Sequence, residues 1–403
     1  MFPRVRFGYY GLADDLLSQS APGALVWSHE YRVSRMALNL VEPTANELGF
    51  DTPARAQAAF GFSDPNQSPA AALRAAGYTE SSVLRADTRQ ELTGTFEYNV
   101  FKISPFLTGR FTAYDEEFDA FNPPSAPGGG EAYRYWYSAG VRTSTQITRV
   151  NNSIDIPLLD IHRTRHIITP SLTVWYAGAN LSQNDLPVYD DYVESIATGS
   201  AANFSVAQVW QTQRGGPGRW RSVDVFKLNA GVTGATEDAD RESPLLRFFD
   251  YRPEYSQLGN FATLDAAWQV PDAVGLTADT IYDMDLHQPA RTSAGGVIQH
   301  APDFSSYAEA RYINALDVTY VDFGCDYRLT RRYTFGFNTI YDTDESEFQS
   351  YNFRVRRKVP EAQIGVSVGY SDITDETSLS VIFEPAAAAT DSARAQRLRD
   401  IGR

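Results

Sequence analysis

The sequence predicts an all-β chain: a large antiparallel up-and-down transmembrane β-barrel of the outer-membrane kind. Three observations predict it. First, residues 331–384 alternate apolar and polar side chains, broken only by short polar turns. In 332–341 one set is Tyr333, Phe335, Phe337, Thr339, Tyr341 and the other Arg332, Thr334, Gly336, Asn338, Ile340. In 363–370, Ile364, Val366, Val368 and Tyr370 alternate with Gln363, Gly365, Ser367 and Gly369. Successive strand side chains point to opposite faces, so this period gives an apolar face backed by a polar or small-residue face. Second, the strands run to about ten residues with Tyr and Phe on the apolar face, which suits a tilted strand crossing a bilayer. Strands of soluble sandwiches usually run about five or six. Third, long and short connections alternate, as in outer-membrane barrels.

Taken in order, the candidate strands are 3–10, 24–40, 83–97, 100–114, 132–149, 165–177, 203–213, 220–235, 259–271, 274–285, 292–301, 304–313, 316–328, 332–342, 348–359, 362–372 and 377–384. That is about seventeen strands, within a range of sixteen to eighteen, each an alternating run bounded by turn residues. Tight turns fall at Tyr98-Asn99, at 215–218 (Gly-Gly-Pro-Gly) and at Pro360-Glu361, residues that supply positive φ or a fixed φ. Long polar loops at 41–82, 115–131, 178–202 and 236–258 follow the second, fourth, sixth and eighth strands. Short turns of such barrels are periplasmic and long loops external. The last strand then ends in the periplasm and the first begins outside, and with an odd count this sets the expectation that Met1 lies inside a longer barrel. The opening Met-Phe-Pro-Arg-Val-Arg-Phe carries no export signal, so one is expected to have been removed or to lie upstream.

Within this plan, 1–385 is the barrel portion. Residues 42–82 form a long external loop, where Ala-rich runs set off by Pro53, Pro65 and Pro69 predict short helices. Residues 386–403 are a loose helix or a disordered tail. These two segments are expected to be the least ordered.

Composition narrows the function classes. A net charge of −15 and a pI near 4.8 argue against nucleic acid as a partner, which would want a basic face. No apolar stretch is long enough for a transmembrane helix. The 43% apolar content and mean hydropathy of −0.35 do not count against a barrel, because only alternate residues face lipid. Aromatics make up 13%, with 23 Tyr and 23 Phe, which suits interfacial girdles. The single cysteine, Cys325, excludes an intrachain disulfide and sits in an apolar alternating set as a small hydrophobe.

Candidate sites are few, and no catalytic, cofactor or metal site is expected. The G-x-S-x-G pattern at 365–369 lies inside an alternating strand and not at the strand-to-helix elbow a hydrolase needs. His162 and His166 would stand about 13 Å apart on an extended strand. The acidic clusters, including Asp342-x-Asp344, complete no calcium-loop pattern. Arg354, Arg356 and Lys358 alternate with Phe353 and Val355. Arg or Lys at the bilayer midplane costs about 2–4 kcal/mol on the lipid side, so these three are lumen-facing candidates, with Asp322 and Asp326. Phe335, Phe337, Ile364, Val366, Val368 and Tyr370 are the lipid-facing candidates. An outer-membrane porin, with the lumen charges setting ion preference, fits this reading, and a soluble secreted all-β binding protein stays open beside it.

Several stretches resemble the C-terminal barrel of the LptD family of lipopolysaccharide-assembly outer-membrane proteins. The first is the run 85–92, with Arg85 and Asp87, followed by Lys102-Ile103-Ser104-Pro105 and by 110–114 (Arg-Phe-Thr-Ala-Tyr). The second, 165–172, contains His166 and Pro170 and precedes Gln183 and Leu186-Pro187-Val188-Tyr189-Asp190. The third surrounds Pro253. The family's cysteine pairs and its N-R-F-x-G-x-D-R-like run have no counterpart here. The resemblance implies a barrel of about twenty-six strands in the family. It also implies lipopolysaccharide or a related glycolipid as cargo, moving from the periplasm to the outer leaflet through a lumen and a lateral seam. Implied partners are a lipoprotein plug (LptE-like), a periplasmic LptA-like bridge through an N-terminal domain, and the barrel-assembly machinery. The implied place is the cell outer membrane.

Overall fold

A computed structural model describes residues 7–10, 24–118, 130–183, 186, 188–190, 192–216, 218–239, 252–256, 258–270, 273–372 and 376–385. The chain is an all-β antiparallel meander of β1 (Phe7–Tyr10), β2 (Ala24–Leu38), β3 (Ser81–Tyr98), β4 (Phe101–Tyr114), β5 (Tyr133–Thr145), β6 (Ile147–Ile156), β7 (Ile161–Ala179), β8 (Gly199–Arg214) and β9 (Arg221–Ala235). It continues through β10 (Phe261–Val270), β11 (Val274–Asp283), β12 (Gln288–Ala301), β13 (Phe304–Ile313), β14 (Val318–Tyr327), β15 (Tyr333–Asp342), β16 (Glu347–Val359), β17 (Ala362–Ser371) and β18 (Glu376–Pro385). β5 and β6 are two halves of one strand interrupted at Gln146, and β7 pairs with both. The eighteen segments therefore make seventeen strands, eighteen less one. Every strand is hydrogen-bonded antiparallel to its sequence neighbour, and no ladder between β1 and β18 closes the sheet among the described residues.

Observed and expected strands agree to a few residues, with instructive differences. β8 begins at Gly199 and not at 203, because Gly199–Ala202 pair with β7 although their small side chains carry no apolar signal. β7 begins at Ile161, where backbone bonding to β6 outlasts the alternation.

The register defines two faces. One row runs Gln299, Ser305, Asp326, Gly336, Arg354, Ser367, Ser380, each directly opposite the next. The adjacent row runs Ile298, Ser306, Cys325, Phe337, Phe353, Val368, Leu379. The first belongs to the inner face, the face on which residues 193–197 and 254–256 pack against β3, β5 and β7. The second belongs to the outer face, where Leu107, Phe111, Tyr135, Tyr176, Phe204, Leu276, Ile298, Phe353 and Val366 stand exposed.

Turn chemistry explains the short connections. Asn99 adopts φ 55° between β3 and β4, a left-handed conformation that Asn tolerates. The hairpins after β11 and β15 share one device. Asp283 Oδ1 accepts from the backbone N–H of Asp285 and Leu286 (both 2.9 Å), and Asp342 Oδ1 accepts from Asp344 (2.9 Å) and Glu345 (3.2 Å). His287 and Ser346, at positive φ, close the two turns.

The segment 42–82, expected among the least ordered, is instead well folded, and its last two residues belong to β3. α1 (Pro53–Phe60) starts at Thr52, whose side chain accepts from Arg55 N–H, and stops at Gly61 with φ 77°. α2 (Pro69–Ala75) starts at Ser68, which accepts from Ala71 N–H. Both have the hydroxyl N-cap and first-turn proline that favour helix initiation. The tail 386–403 lies outside the described residues.

Candidate functional site

Strand alternation sends Arg85, Asp87, Arg89 and Glu91 of β3 to the inner face, beside Thr108, Arg110 and Thr112 of β4 and Arg134, Trp136 and Ser138 of β5. All of these charges but the half-buried Glu91 are buried, because described residues of the segments after β7 and β9 lie across them. Asp87 and Arg110 form the centre. Arg110 Nε and Nη2 each donate to the Asp87 carboxylate at 2.8 Å, and Thr112 Oγ1 adds a 3.0 Å bond. Arg110 Nη1 also donates to the carbonyl of Tyr192, tying the wall to the covering segment.

Two further links hold the cover. Arg85 Nη1 donates to Glu194 Oε1 at 2.6 Å, and the Tyr114 hydroxyl donates to the same oxygen at 2.7 Å. The other Glu194 oxygen accepts from Asp190 N–H at 2.7 Å, closing a turn around the carboxylate. Arg89 Nε donates to Glu254 Oε1 at 3.0 Å, and Glu254 sits in the 3-10 turn Pro253–Tyr255. Arg134 reaches the carbonyls of Val193, Glu194 and Ile196, and Trp136 Nε1 donates to Ala197 O at 2.9 Å. Apolar packing of Trp136 and Trp175 against Ile196, Tyr255 and Leu258 fills the remaining space. Ionised buried groups persist only when paired and hydrogen-bonded, and these are.

The sequence-singled residues divide among three places. Arg85, Asp87, Asp190 and Pro253, distant in the chain, meet in this network, with Asp190 within 3.5 Å of Arg85. Pro105, His166 and Pro170 stand on the outer face, where His166 stacks on Trp210 at 4.2 Å and bonds Gln208. Gln183 lies in the segment after β7, and Pro187 falls outside the described residues. Asp322, Asp326, Arg354, Arg356 and Lys358 are on the inner register of β14 and β16, away from this network, with the Tyr307 hydroxyl donating to Asp322 at 3.2 Å. Phe335, Ile364, Val366 and Val368 are exposed on the outer face, and Phe337 and Tyr370 share it, half-buried. The G-x-S-x-G stretch is internal to β17, with Ser367 opposite Arg354.

Sequence reasoning missed Arg89, Arg110, Arg134, Glu194 and Glu254 as partners. One signal could have found them: four ionisable residues in alternation on one strand, 85-87-89-91, need partners from elsewhere if that face is covered.

At the long-loop end, α1 reaches the turns after β13 and β15. Arg55 Nη1 donates to Glu345 Oε1 at 2.7 Å, in a cleft lined also by Asp51, Asp317, Asp344 and Glu347. The Glu345 carboxyl is raised above the ordinary glutamate value, by burial first and then by Asp342 and Asp51, which together outweigh Arg55. A raised carboxyl favours the folded contact below the ordinary glutamate pKa, and this contribution is lost as pH rises through the raised value. Hydrogen exchange of α1 should therefore be slower at mildly acidic pH than at neutrality, after correction for intrinsic rates. Glu345→Gln should remove that difference, and a pH response unchanged in the variant would refute the assignment.

No family model matches the sequence, and no curated protein matches it. Among solved structures, the chain is similar to mutants of the Rhodopseudomonas blastica porin. One is 13% identical, with 72% of this chain and 93% of that chain covered and a TM-score of 0.25. Another is 13% identical, with 85% and 100% covered and a TM-score of 0.26. The FrpB iron transporter from Neisseria meningitidis is 9% identical, with 88% of this chain and 58% of that chain covered and a TM-score of 0.39.

Proposed function

We propose that this chain is the wall of an outer-membrane β-barrel channel whose lumen is narrowed by its own connecting segments. One observation carries the reading: the register puts exposed aliphatic and aromatic residues on one face of most strands, and on the other the charged, polar and small residues together with a few buried apolar side chains such as Trp136 and Trp175. A continuous apolar surface on most strands far exceeds the few hundred Å² that soluble monomers expose. Lipid is the solvent that matches it. The inner face offers hydrated solutes a polar path, and Glu194 and Glu254 hold the two covering segments against it.

Planar-bilayer recording tests this. The wild-type chain should give discrete conductance steps. Glu194→Ala combined with Glu254→Ala should enlarge or destabilise those steps by releasing the covering segments. A chain that inserts but never conducts would overturn the channel reading.

A second reading is favoured by one specific observation. Four of the nine residues that carry the LptD resemblance, Arg85, Asp87, Asp190 and Pro253, converge on the same buried network. Under this reading the cargo is lipopolysaccharide or a related glycolipid, and 377–384 in β18 lines one side of the lateral seam. An LptE-like plug, an LptA-like bridge and the barrel-assembly machinery are the partners. Depleting the protein in its native cell separates the two: surface lipopolysaccharide falls under the second reading and is unchanged under the first.

A further inference from the structure

The chain carries a net charge of −15, yet residues 328–334 and 354–361 hold seven cations and one acid. The cations are Arg328, Arg331, Arg332, Arg354, Arg356, Arg357 and Lys358, and the acid is Glu361. The fold joins the two stretches. Lys358 N–H donates to Arg332 O at 2.7 Å, and Arg357 stands opposite Tyr333 across the β15–β16 ladder. Thr330 Oγ1 accepts from the N–H of Arg332 and Tyr333 (3.2 and 3.1 Å), which fixes the turn that presents Arg331 and Arg332. Arg328, in the same connection, donates to Pro302 O of the neighbouring turn.

Arg331, Arg332, Arg357 and Lys358 are all exposed, and none is ion-paired with a carboxylate among the described residues. Arg357 lies over the Tyr333 ring, 5.7 Å from its centroid. Aromatic rings continue along this rim on the outer face: Tyr333, Tyr327 and Phe304, the last two in edge contact at 6.3 Å. An aromatic band marks headgroup depth, and a guanidinium matches a phosphate with two parallel donors.

We propose that this rim, at the short-turn end of β14–β17, binds the phosphodiester headgroup of an anionic phospholipid. The proposal rests on the membrane-spanning reading above. The phosphate monoesters of lipid A share the chemistry. The short-turn side is the periplasmic leaflet under that reading, and this commits the site to phospholipid. Each cation beside an anionic surface contributes roughly fivefold in binding, so Arg331, Arg332 and Arg357 are ample for selective retention, with Lys358 on the inner register at the same strand end adding only to the local field.

The test inserts the full chain into phosphatidylcholine bilayers containing either phosphatidylglycerol or lipid A and reads retained lipid by native mass spectrometry. Wild type should retain phosphatidylglycerol over phosphatidylcholine by at least about tenfold at low salt, and lose much of that preference near 1 M salt, where screening acts within about 3 Å. Arg331→Gln, Arg332→Gln and Arg357→Gln together should abolish it. The variant with Arg331→Lys, Arg332→Lys and Arg357→Lys should keep it, which separates charge from folding. Equal retention of both phospholipids by an inserted wild-type chain would overturn the site alone. Stronger retention of lipid A than of phosphatidylglycerol would overturn its assignment to phospholipid. Failure to enter any bilayer would overturn the membrane reading, and the site with it.

Discussion

Replacing Arg110 by alanine should destabilise the folded chain by about 3–5 kcal/mol, the cost of leaving a buried charge without its partner. Asp87 and Arg110 have side chains only 1% and 2% exposed, and no other basic group is paired with Asp87 among the described residues. Thr112 donates one hydrogen bond, which cannot replace two charge-assisted ones. The loss should appear as a lower urea midpoint in detergent micelles, read by tryptophan fluorescence and by heat-modifiable gel migration. Replacing both partners with apolar groups of similar shape, Asp87→Leu with Arg110→Met, should recover most of the stability, because the single variant's penalty is mainly that of the stranded carboxylate. An Arg110→Ala chain within about 1 kcal/mol of wild type, the range of exposed pairs, would show that the network is hydrated and the covering segments are not seated on it.

A second large effect is expected at the middle of β17. Val366→Arg should cost about 2–4 kcal/mol if the outer face meets hydrocarbon. Val366 is exposed, with Val355 and Val381 directly opposite on the two flanking strands, so an arginine there finds no carboxylate. The neighbouring control is chosen by the structure. Ser367 stands opposite Arg354, and arginine at 367 would add like-charge repulsion worth roughly 0.2–1 kcal/mol. Ser367→Glu is therefore the cleaner partner variant, and it should be neutral or slightly stabilising. Spin labels at the two positions give an independent reading: lipid-dissolved oxygen should reach 366 and an aqueous relaxation agent 367. If neither agent discriminates between the two sites, the outer face is not a lipid face.

The alternation of 332–341 and 363–370 was sufficient, alone, to specify strands, their length and which residues share a side. The physical reason is local: a strand's side-chain period is two, so a one-residue slip would invert every contact. Asn99 and Pro360-Glu361 marked turns for an equally local reason, their backbone preferences. The resemblance-bearing residues Arg85, Asp87, Asp190 and Pro253 were visible too, but only as scattered motifs.

What the sequence could not supply was partnership. Glu194 lies 109 residues from Arg85, and Glu254 165 residues from Arg89, and nothing in a strand's alternation says which loop returns to cover it. The segment after β2 read as short helices in an external loop, but its order did not show, because the contact between Arg55 and Glu345 that seats it spans 290 residues. Local periodicity determined the wall and its two faces. Only the tertiary structure decided which charges of the inner face are buried and paired, since that depends on where long connections close, and closure is a property of the whole sheet.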